Sequence, residues 1–178
     1  MQNNPNFISS LPPLISVLRG RPQAYAYIEG DTVNYPELLG AARFYQTRSG
    51  VIVFTEVRGL PIAETDCNAP VFGFHIHEGT SCGGSMNDPF SASMSHYNPN
   101  NCPHPYHSGD LPPLFCNNGF AVSLVLTDRF NVDEIIGKTI IIHDRPDDFS
   151  TQPSGNSGTK IACGIIKANY RLPRSYQR

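Results

Sequence analysis

Short apolar segments alternate with polar turns along most of this chain. Each segment is rich in β-branched or aromatic residues, and Gly, Asn or Asp follows within a few residues. The pattern predicts strands at 24–28, 41–46, 51–57, 71–77, 120–126, 137–143 and 161–166, the last continuing over 168–170. A helical period is never sustained, and 132–136 predicts only one helical turn. The pattern therefore indicates an all-β sandwich or barrel.

Two long polar segments interrupt this pattern. Residues 78–118 show almost no periodic apolar positions, and residues 144–159 are rich in Gly, Ser, Pro and Asp. Long loops inside a compact domain are usually functional. We expect one domain over residues 23–170, preceded by a poorly structured lead-in over 1–22 and followed by a C-terminal tail over 171–178.

Composition excludes several classes of protein. Charged residues make up 16% and apolar residues 39%, with 15 Gly and 16 Pro, which suits a loop-rich β protein better than a helical bundle. The net charge of −2 provides no basic surface for nucleic acid. The sequence contains no apolar run of the roughly 20 residues that a membrane span needs. We therefore expect neither nucleic acid nor membrane as a partner.

The N-terminal sequence does not resemble a signal peptide. It has no positive charge before its apolar stretch, and Pro12 and Pro13 interrupt that stretch. The sequence therefore favours a cytoplasmic location, with a processed exported form left open. The five Cys do not decide the compartment, because cysteines stay reduced in the cytosol and pair in secreted proteins.

The six histidines indicate a metal site. His75 and His77 are two residues apart on a predicted strand, so their side chains point to one face. His104, His107 and Asp110 follow at three-residue steps in the first long loop, and two nitrogens with a carboxylate oxygen suit zinc. Either motif alone is more often an ordinary polar feature than a metal site. Together in one domain they favour zinc or copper over magnesium or calcium.

Six segments carry a resemblance to a known family. They are GFHIHE at 73–78, SHYNP at 95–99, HSGDL at 107–111, IHD at 142–144, PDD at 146–148 and GNSGTKIACG at 155–164. In this order they resemble the copper/zinc superoxide dismutases, particularly the short-loop bacterial forms. The resemblance implies an eight-stranded antiparallel Greek-key β-barrel, flattened and immunoglobulin-like, with two long functional loops.

The same resemblance implies the residues of a copper and a zinc site. Copper would be bound by His75, His77, His96 and His143, and zinc by His96, His104, His107 and Asp110. All six histidines would then be ligands, with His96 shared by both metals and catalytic. Asp147 would orient one imidazole of each site. The implied reaction is dismutation of superoxide to oxygen and hydrogen peroxide, and a homodimer is left open as a further partner.

Two positions depart from the family pattern. Only Pro105 and Tyr106 separate His104 from His107, where the family commonly has a longer insertion, so zinc binding is expected to be less secure than copper binding. Lys160 stands where the family usually has an arginine beside the copper, and would act as the catalytic residue that attracts the anion. A lysine keeps the positive charge but lacks the planar fork.

Two other functions compete with dismutation. A barrel of this kind could store or deliver copper, or carry zinc alone, without turnover. A dismutase that uses copper alone is the second rival, but such a protein is expected to lack a zinc ligand. The sequence retains every ligand position that the family uses, which favours the enzyme.

The resemblance also implies a disulfide between Cys82 and Cys163. It gives no role to the other three cysteines. Cys102 and Cys116 bracket the zinc ligands, and a second bridge between them is an alternative to two free thiols. Cys67 is expected to be a buried free thiol.

Overall fold

The computed structural model describes residues 14–62 and 70–169. The described chain forms two short α-helices, one 3-10 helix over Ser91–Ser93 and nine strands. The helices are α1 (Leu14–Arg19) and α2 (Val132–Ile135). The strands are β1 (Ala24–Gly30), β2 (Leu39–Thr47), β3 (Gly50–Arg58), β4 (Val71–His77), β5 (Asp110–Phe115), β6 (Phe120–Thr127), β7 (Thr139–His143), β8 (Lys160–Ile165) and β9 (Lys167–Ala168).

Eight of the strands form one antiparallel path, in the order β5-β4-β7-β8-β1-β2-β3-β6. The two end strands, β5 and β6, lie against each other, so the sheet curls into a nearly closed barrel. Strands β5 and β6 are consecutive in the chain, yet β5 pairs with β4 and β6 pairs with β3. The connection between them gives the barrel its Greek-key topology. The all-β barrel that the sequence predicted is confirmed.

The core lies inside the barrel, on alternate residues of each strand. On β4 the inward residues are Phe72, Phe74 and Ile76, and on β7 they are Ile140 and Ile142. The residues between them on both strands therefore point to the outer surface of the barrel. They are nevertheless buried, because the long loops on either side of the barrel cover this surface.

Strand β5 lies inside the segment that the sequence left without structure. Its register with β4 shifts between two pairs, Phe72 with Leu114 and Phe74 with Leu111, so one extra residue of β5 bulges out. Both leucines are buried although they are three residues apart. The bulge thereby hides the two-residue alternation by which the other strands were recognised, and two prolines further weaken the signal.

The lead-in before β1 contains a short helix. Within the lead-in 1–22, residues Leu14–Arg19 form α1, with no buried side chain, where the sequence predicted little structure. The tail 171–178 and Cys67 lie outside the described residues. The predicted helical turn after β6 is confirmed as α2. Across residues 14–62 and 70–169, no helix is long and apolar enough to cross a membrane.

Candidate metal centre

Strands β4 and β7 place three histidines side by side on the outer surface of the barrel. His75 and His77 alternate with the core residues of β4, and His143 ends β7, which pairs with β4. All three are buried beneath the loops, with His75 fully inaccessible to solvent. A register shift after Ile142 brings His143 opposite Lys160 at the start of β8. Such irregularities re-aim side chains near functional sites.

The loop between β4 and β5 supplies the other histidines. His96 forms an isolated bridge with His77, which fixes it against the edge of β4. The peptide N–H of His107 donates to Asp110 Oδ2 at 3.0 Å, so the loop folds back on its own carboxylate. His104, His107 and Asp110 are all buried. These residues lie beside the strand histidines because the loop crosses the outer surface of β4.

The structure thus brings all the sequence-predicted ligand residues together in two groups. In each group the nitrogen or oxygen donors lie within 4.8 Å of one another, and every residue is buried. The first group is His75, His77, His96 and His143, and the second is His96, His104, His107 and Asp110. His96 belongs to both. Two ions could therefore share its imidazole.

The tautomers of the first group direct bare nitrogens toward one point. His77 Nδ1 lies 2.9 Å from the carbonyl of Met94 and His143 Nδ1 lies 3.3 Å from the carbonyl of Gly158. A carbonyl only accepts, so each Nδ1 carries the proton. The two Nε2 atoms then face each other as lone pairs only 3.3 Å apart. Two acceptors at this distance repel each other unless a cation lies beside them, so the pair fits a metal ion.

Asp147 joins the two groups. Its two carboxylate oxygens each lie 2.9 Å from an imidazole Nε2, one on His75 and one on His104. A peptide N–H of Phe149 donates to the same carboxylate. Burial opposes ionisation, but these hydrogen bonds outweigh it and hold the pKa of Asp147 far below its usual value. The ionised carboxylate thereby keeps the proton of each ring on Nε2 and leaves each Nδ1 free to bind a metal.

Several buried ring nitrogens have no hydrogen-bond partner among the described residues. They are Nδ1 of His75, Nε2 of His96, and Nδ1 of His104 and of His107, the last two lying 3.1 and 3.3 Å from the carboxylate oxygens of Asp110 without the geometry of a hydrogen bond. Orphaned buried polar atoms are rare in folded proteins, and a metal ion is one of the few partners that satisfies an imidazole lone pair. Their positions, within the two groups of donors, fit two bound metal ions.

Burial favours the neutral form of His75, His77, His107 and His143, which is the form that binds a metal. Desolvation lowers the pKa of His75 to about 4 and that of His143 to about 3. It also lowers the pKa of His77 well below the usual value, and that of His107 less strongly. Asp110 behaves oppositely: burial raises its pKa, but a hydrogen bond with His96 and the neighbouring rings lower it overall. The second group therefore offers one negative charge.

A channel leads from solvent to the histidines. It has a volume of about 440 Å³, and its walls include His77, His96, His143 and Lys160. Lys160 Nζ donates to Ser93 Oγ and to the carbonyl of Met94, each at 2.9 Å. Both acceptors are uncharged, so they do not neutralise the positive charge of the ammonium. Partial burial lowers the pKa of Lys160. The carbonyl of Met94 also holds His77, which links the lysine to the first group.

Gly155 is a functional position that sequence reasoning missed as such. Its φ is +68°, and a Cβ there would lie 2.0 Å from Asp147 Oδ1 and 2.7 Å from His104 Nε2. Only glycine leaves room for the carboxylate between the two groups. The GNSG segment gives a hint, since glycines at close intervals mark tight turns, but the contact with Asp147 is visible only in the fold.

The disulfide between Cys82 and Cys163 is confirmed, with Cα atoms 5.7 Å apart. It fastens the loop after β4 to β8. Of the two alternatives for Cys102 and Cys116, a second bridge or two free thiols, the structure has the free thiols. Cys116 directly follows β5, where its Sγ accepts from the peptide N–H of Gly119 and contacts the carbonyl of Pro61. Cys102 belongs to a separate turn, in which its peptide N–H donates to the side chain of Asn98. The two thiols therefore face different neighbours.

The fold and site together define a β-barrel metalloprotein whose two metal groups share one histidine. Residues 38–166 match the family model for copper/zinc superoxide dismutase. The chain belongs to the copper/zinc superoxide dismutase family.

Individual relatives agree with this placement. The chain is 30% identical to superoxide dismutase [Cu-Zn] 2 of Aquifex aeolicus, over 74% of this chain and 80% of that protein. It is 34% identical to superoxide dismutase [Cu-Zn] of Photobacterium leiognathi, over 72% of this chain and 79% of that protein. Its fold is similar to the solved copper/zinc superoxide dismutase from Brucella abortus, with a TM-score of 0.68 and 25% identity over 81% of this chain and 99% of that one.

Proposed function

We infer that the two ligand groups serve one reaction, the dismutation of superoxide to oxygen and hydrogen peroxide. The protein is a superoxide dismutase of the copper/zinc type, and its cofactors are copper and zinc. The single observation that carries the residue assignment is the complete pair of buried donor groups joined at His96.

We assign copper to the first group, His75, His77, His96 and His143. Four imidazoles suit copper, and three of them are fixed by rigid strands. Copper bound there supplies one-electron redox chemistry, which lets one superoxide be oxidised and a second be reduced. The chain keeps the donors aligned through the carbonyls of Met94 and Gly158 and the carboxylate of Asp147.

We assign zinc to the second group, His96, His104, His107 and Asp110. Three nitrogens and one carboxylate oxygen match the preference of zinc, which has no redox chemistry of its own. Because this group draws three of its four donors from one loop segment, its occupation would order that segment over β4. The role of this group is therefore to hold His96 and the channel wall in place.

His96 is the residue to which we assign proton delivery. Its Nε2 has no hydrogen-bond partner in the described protein, and the ring lines the channel. Its Nδ1 lies 2.8 Å from Asp110 Oδ1, so the ring cannot turn away from the channel without losing that contact. Reduction of superoxide to hydrogen peroxide consumes two protons. While Nε2 is not coordinated, His96 can hold one of them there and donate it to the product.

Lys160 is the residue to which we assign attraction of the substrate. Its ammonium lies in the channel wall beside His143, and no carboxylate forms an ion pair with it in the described residues. A positive charge in the wall of the channel raises the local concentration of a small anion. Because three neutral acceptors on the loop after β4 also hold the ammonium, it is positioned as well as charged.

Replacing His75 by Ala tests the assignment. The variant should lose dismutase activity and copper while the barrel stays folded, because the side chain belongs to the outer surface and not to the core. Activity, copper content and the far-UV circular dichroism spectrum are measured on the copper-loaded protein. Retention of most activity with copper present would show that the assignment is wrong. Activity and the contents of both metals in the wild type separate the two rivals: a storage protein binds copper without turnover, and a copper-only enzyme turns over without zinc.

We further propose that the protein forms a homodimer through the outer surface of β6. Every outward residue of this strand is apolar, and each is more than two fifths exposed: Phe120, Val122, Leu124 and Leu126. A solvent-facing strand normally alternates apolar with polar residues, so this β6 stripe is unusual. Beside it, Arg43 and Glu56 form an ion pair of 2.7 Å. Adjacent opposite charges are self-complementary under a two-fold axis, which favours a second copy as the partner.

The mass in solution tests the dimer. Light scattering should give twice the mass of one chain for the wild type and the mass of one chain for Leu124→Glu, which places a charge in the β6 stripe. Tyr27→Glu is the matched control, since Tyr27 is 68% exposed on β1, away from the stripe. A monomeric wild type, or a dimeric Leu124→Glu variant, would contradict the proposal.

The cytoplasmic location that the sequence favours stays a prediction. The disulfide joins the buried Cys163 to the half-buried Cys82, and both residues line an open cavity at the surface. Fractionation of the producing cells, with the redox state of Cys82 and Cys163 determined in each fraction, tests it. Recovery of the protein only from an exported fraction would contradict it.

A further inference from the structure

Arg129 holds the backbone of the zinc-ligand segment, which we define as residues 104–110. One guanidinium nitrogen, Nη1, donates to the carbonyl of Pro105 at 2.9 Å and lies 3.3 Å from the carbonyls of His107 and Asp110. Arg129 follows β6 and is not itself a ligand of either group. A single side chain therefore links the backbone around two ligand residues of the second group.

Gln152 holds the other end of the same segment. Its side-chain nitrogen donates to the carbonyl of His104 at 2.8 Å, and its side-chain oxygen accepts from the peptide N–H of His104 at 3.0 Å. Both backbone groups of one ligand residue are thus satisfied by one amide. Gln152 lies in the second long loop, so the segment is held from two separate parts of the chain.

The segment needs such support because it has little of its own. Before Asp110, where β5 begins, it contains no helix or strand, and its backbone hydrogen bonds with neighbouring residues include those from Tyr106 to Pro103 and from Asp110 to His107. Ordering a loop costs conformational entropy, and a site ordered before the ion arrives does not pay this cost on binding. Arginine and glutamine contacts made in advance therefore raise the affinity of the segment for a metal.

We propose that Arg129 and Gln152 are positioning residues that preorganise the short zinc-ligand segment for its metal. The proposal rests on the zinc assignment made above. It also explains how so short a spacing between His104 and His107 can still present convergent donors. Apart from the shared His96, the histidines of the first group lie on β4 and β7 and not in the zinc-ligand segment. We therefore expect the two positioning residues to affect zinc binding and to leave copper binding unchanged.

The experiment measures metal affinity and not turnover. Cobalt(II) is added as a coloured probe of the second group in copper-loaded, zinc-free protein, and zinc affinity is measured by competition with a chelator. Arg129→Ala and Gln152→Ala should each lower zinc affinity by about 10–100-fold, the usual effect of losing a group that orients a ligand. The visible cobalt spectrum should change shape in both. Copper affinity should stay within about twofold of the wild type in both variants, because neither residue contacts the first group.

Two further variants keep the result interpretable. Arg129→Lys keeps a donor and a charge with shorter reach, and should recover part of the zinc affinity. Arg58→Ala is the matched control, since it removes an exposed arginine from the end of β3, where no described contact joins it to residues 104–110. It should bind zinc and cobalt as the wild type does.

The outcomes separate this proposal from the assignment on which it rests. If the wild type itself binds neither zinc nor cobalt, the zinc assignment fails. If the wild type binds both and the alanine variants bind equally well with the same cobalt spectrum, only the positioning role is wrong. An equal loss of copper affinity in the alanine variants would show general loosening of the loops, and would overturn the proposal too.

Discussion

Replacing Gly155 by Ala should damage the metal centre from a position that binds no metal. The added Cβ would lie 2.0 Å from Asp147 Oδ1, whereas ordinary contact begins at 3.4 Å, so one of the two must move by about 1.4 Å. The same oxygen lies 2.9 Å from His104 Nε2 and accepts from the peptide N–H of Phe149 at 2.7 Å. A displacement of this size breaks such hydrogen bonds.

The expected loss has two parts. The φ of +68° is unfavourable for alanine by about 1–2 kcal/mol, whatever the surroundings. Each broken hydrogen bond to the ionised carboxylate of Asp147 adds about 1.5–3 kcal/mol. Gly137→Ala is the matched control, since its φ of +84° carries the same backbone strain and no atom lies within 4 Å of the added Cβ.

The assay compares the two variants in thermal unfolding, zinc content and dismutase activity. Gly137→Ala should lose about 2–8 °C in Tm and keep its zinc and its activity. Gly155→Ala should lose more stability than the control and bind zinc about 10–100-fold more weakly. If the two variants were equally stable and held zinc equally well, Asp147 would not be the link between the groups that the distances indicate.

Three further changes give distinct expectations. Asp110→Asn should release zinc, measured by metal analysis, and loosen the loop between β4 and β5 more than it weakens copper binding, because the carboxylate belongs to the second group alone; equal loss of both metals would contradict this. Lys160→Glu should lower the rate strongly and Lys160→Arg should hold or raise it, with the rates of the lysine and arginine forms falling as salt rises; equal rates for Glu and Arg would mean a solvated charge without a role. Cys163→Ser should lower the free energy of unfolding by about 4 kcal/mol, because the disulfide spans a sequence separation of 81 residues; an unchanged denaturant midpoint would show that the bridge does not constrain the unfolded chain.

Local pattern was enough for most of the barrel and for the ligand residues. Strand β4 was predicted with its observed bounds, because its apolar residues alternate and a glycine follows it. The same alternation put His75 and His77 on one face, and the structure places both in the first group. These features depend on neighbours in the sequence, so the sequence displays them directly. The chemistry of imidazole and carboxylate likewise belongs to the side chains themselves.

Other features were decided by contacts between distant parts of the chain. Strand β5 was missed because a bulge against β4 breaks its alternation, and the bulge exists only in the paired strands. Cys102 and Cys116 flank the zinc ligands in sequence yet remain free, since each is held by different neighbours. Arg129 and Gln152 bind backbone atoms, which have no residue-specific signature. The sequence by itself determined which side chains could bind metal, whereas the tertiary structure decided what holds them, because carbonyls and peptide N–H groups are the same at every position until folding selects which of them meet.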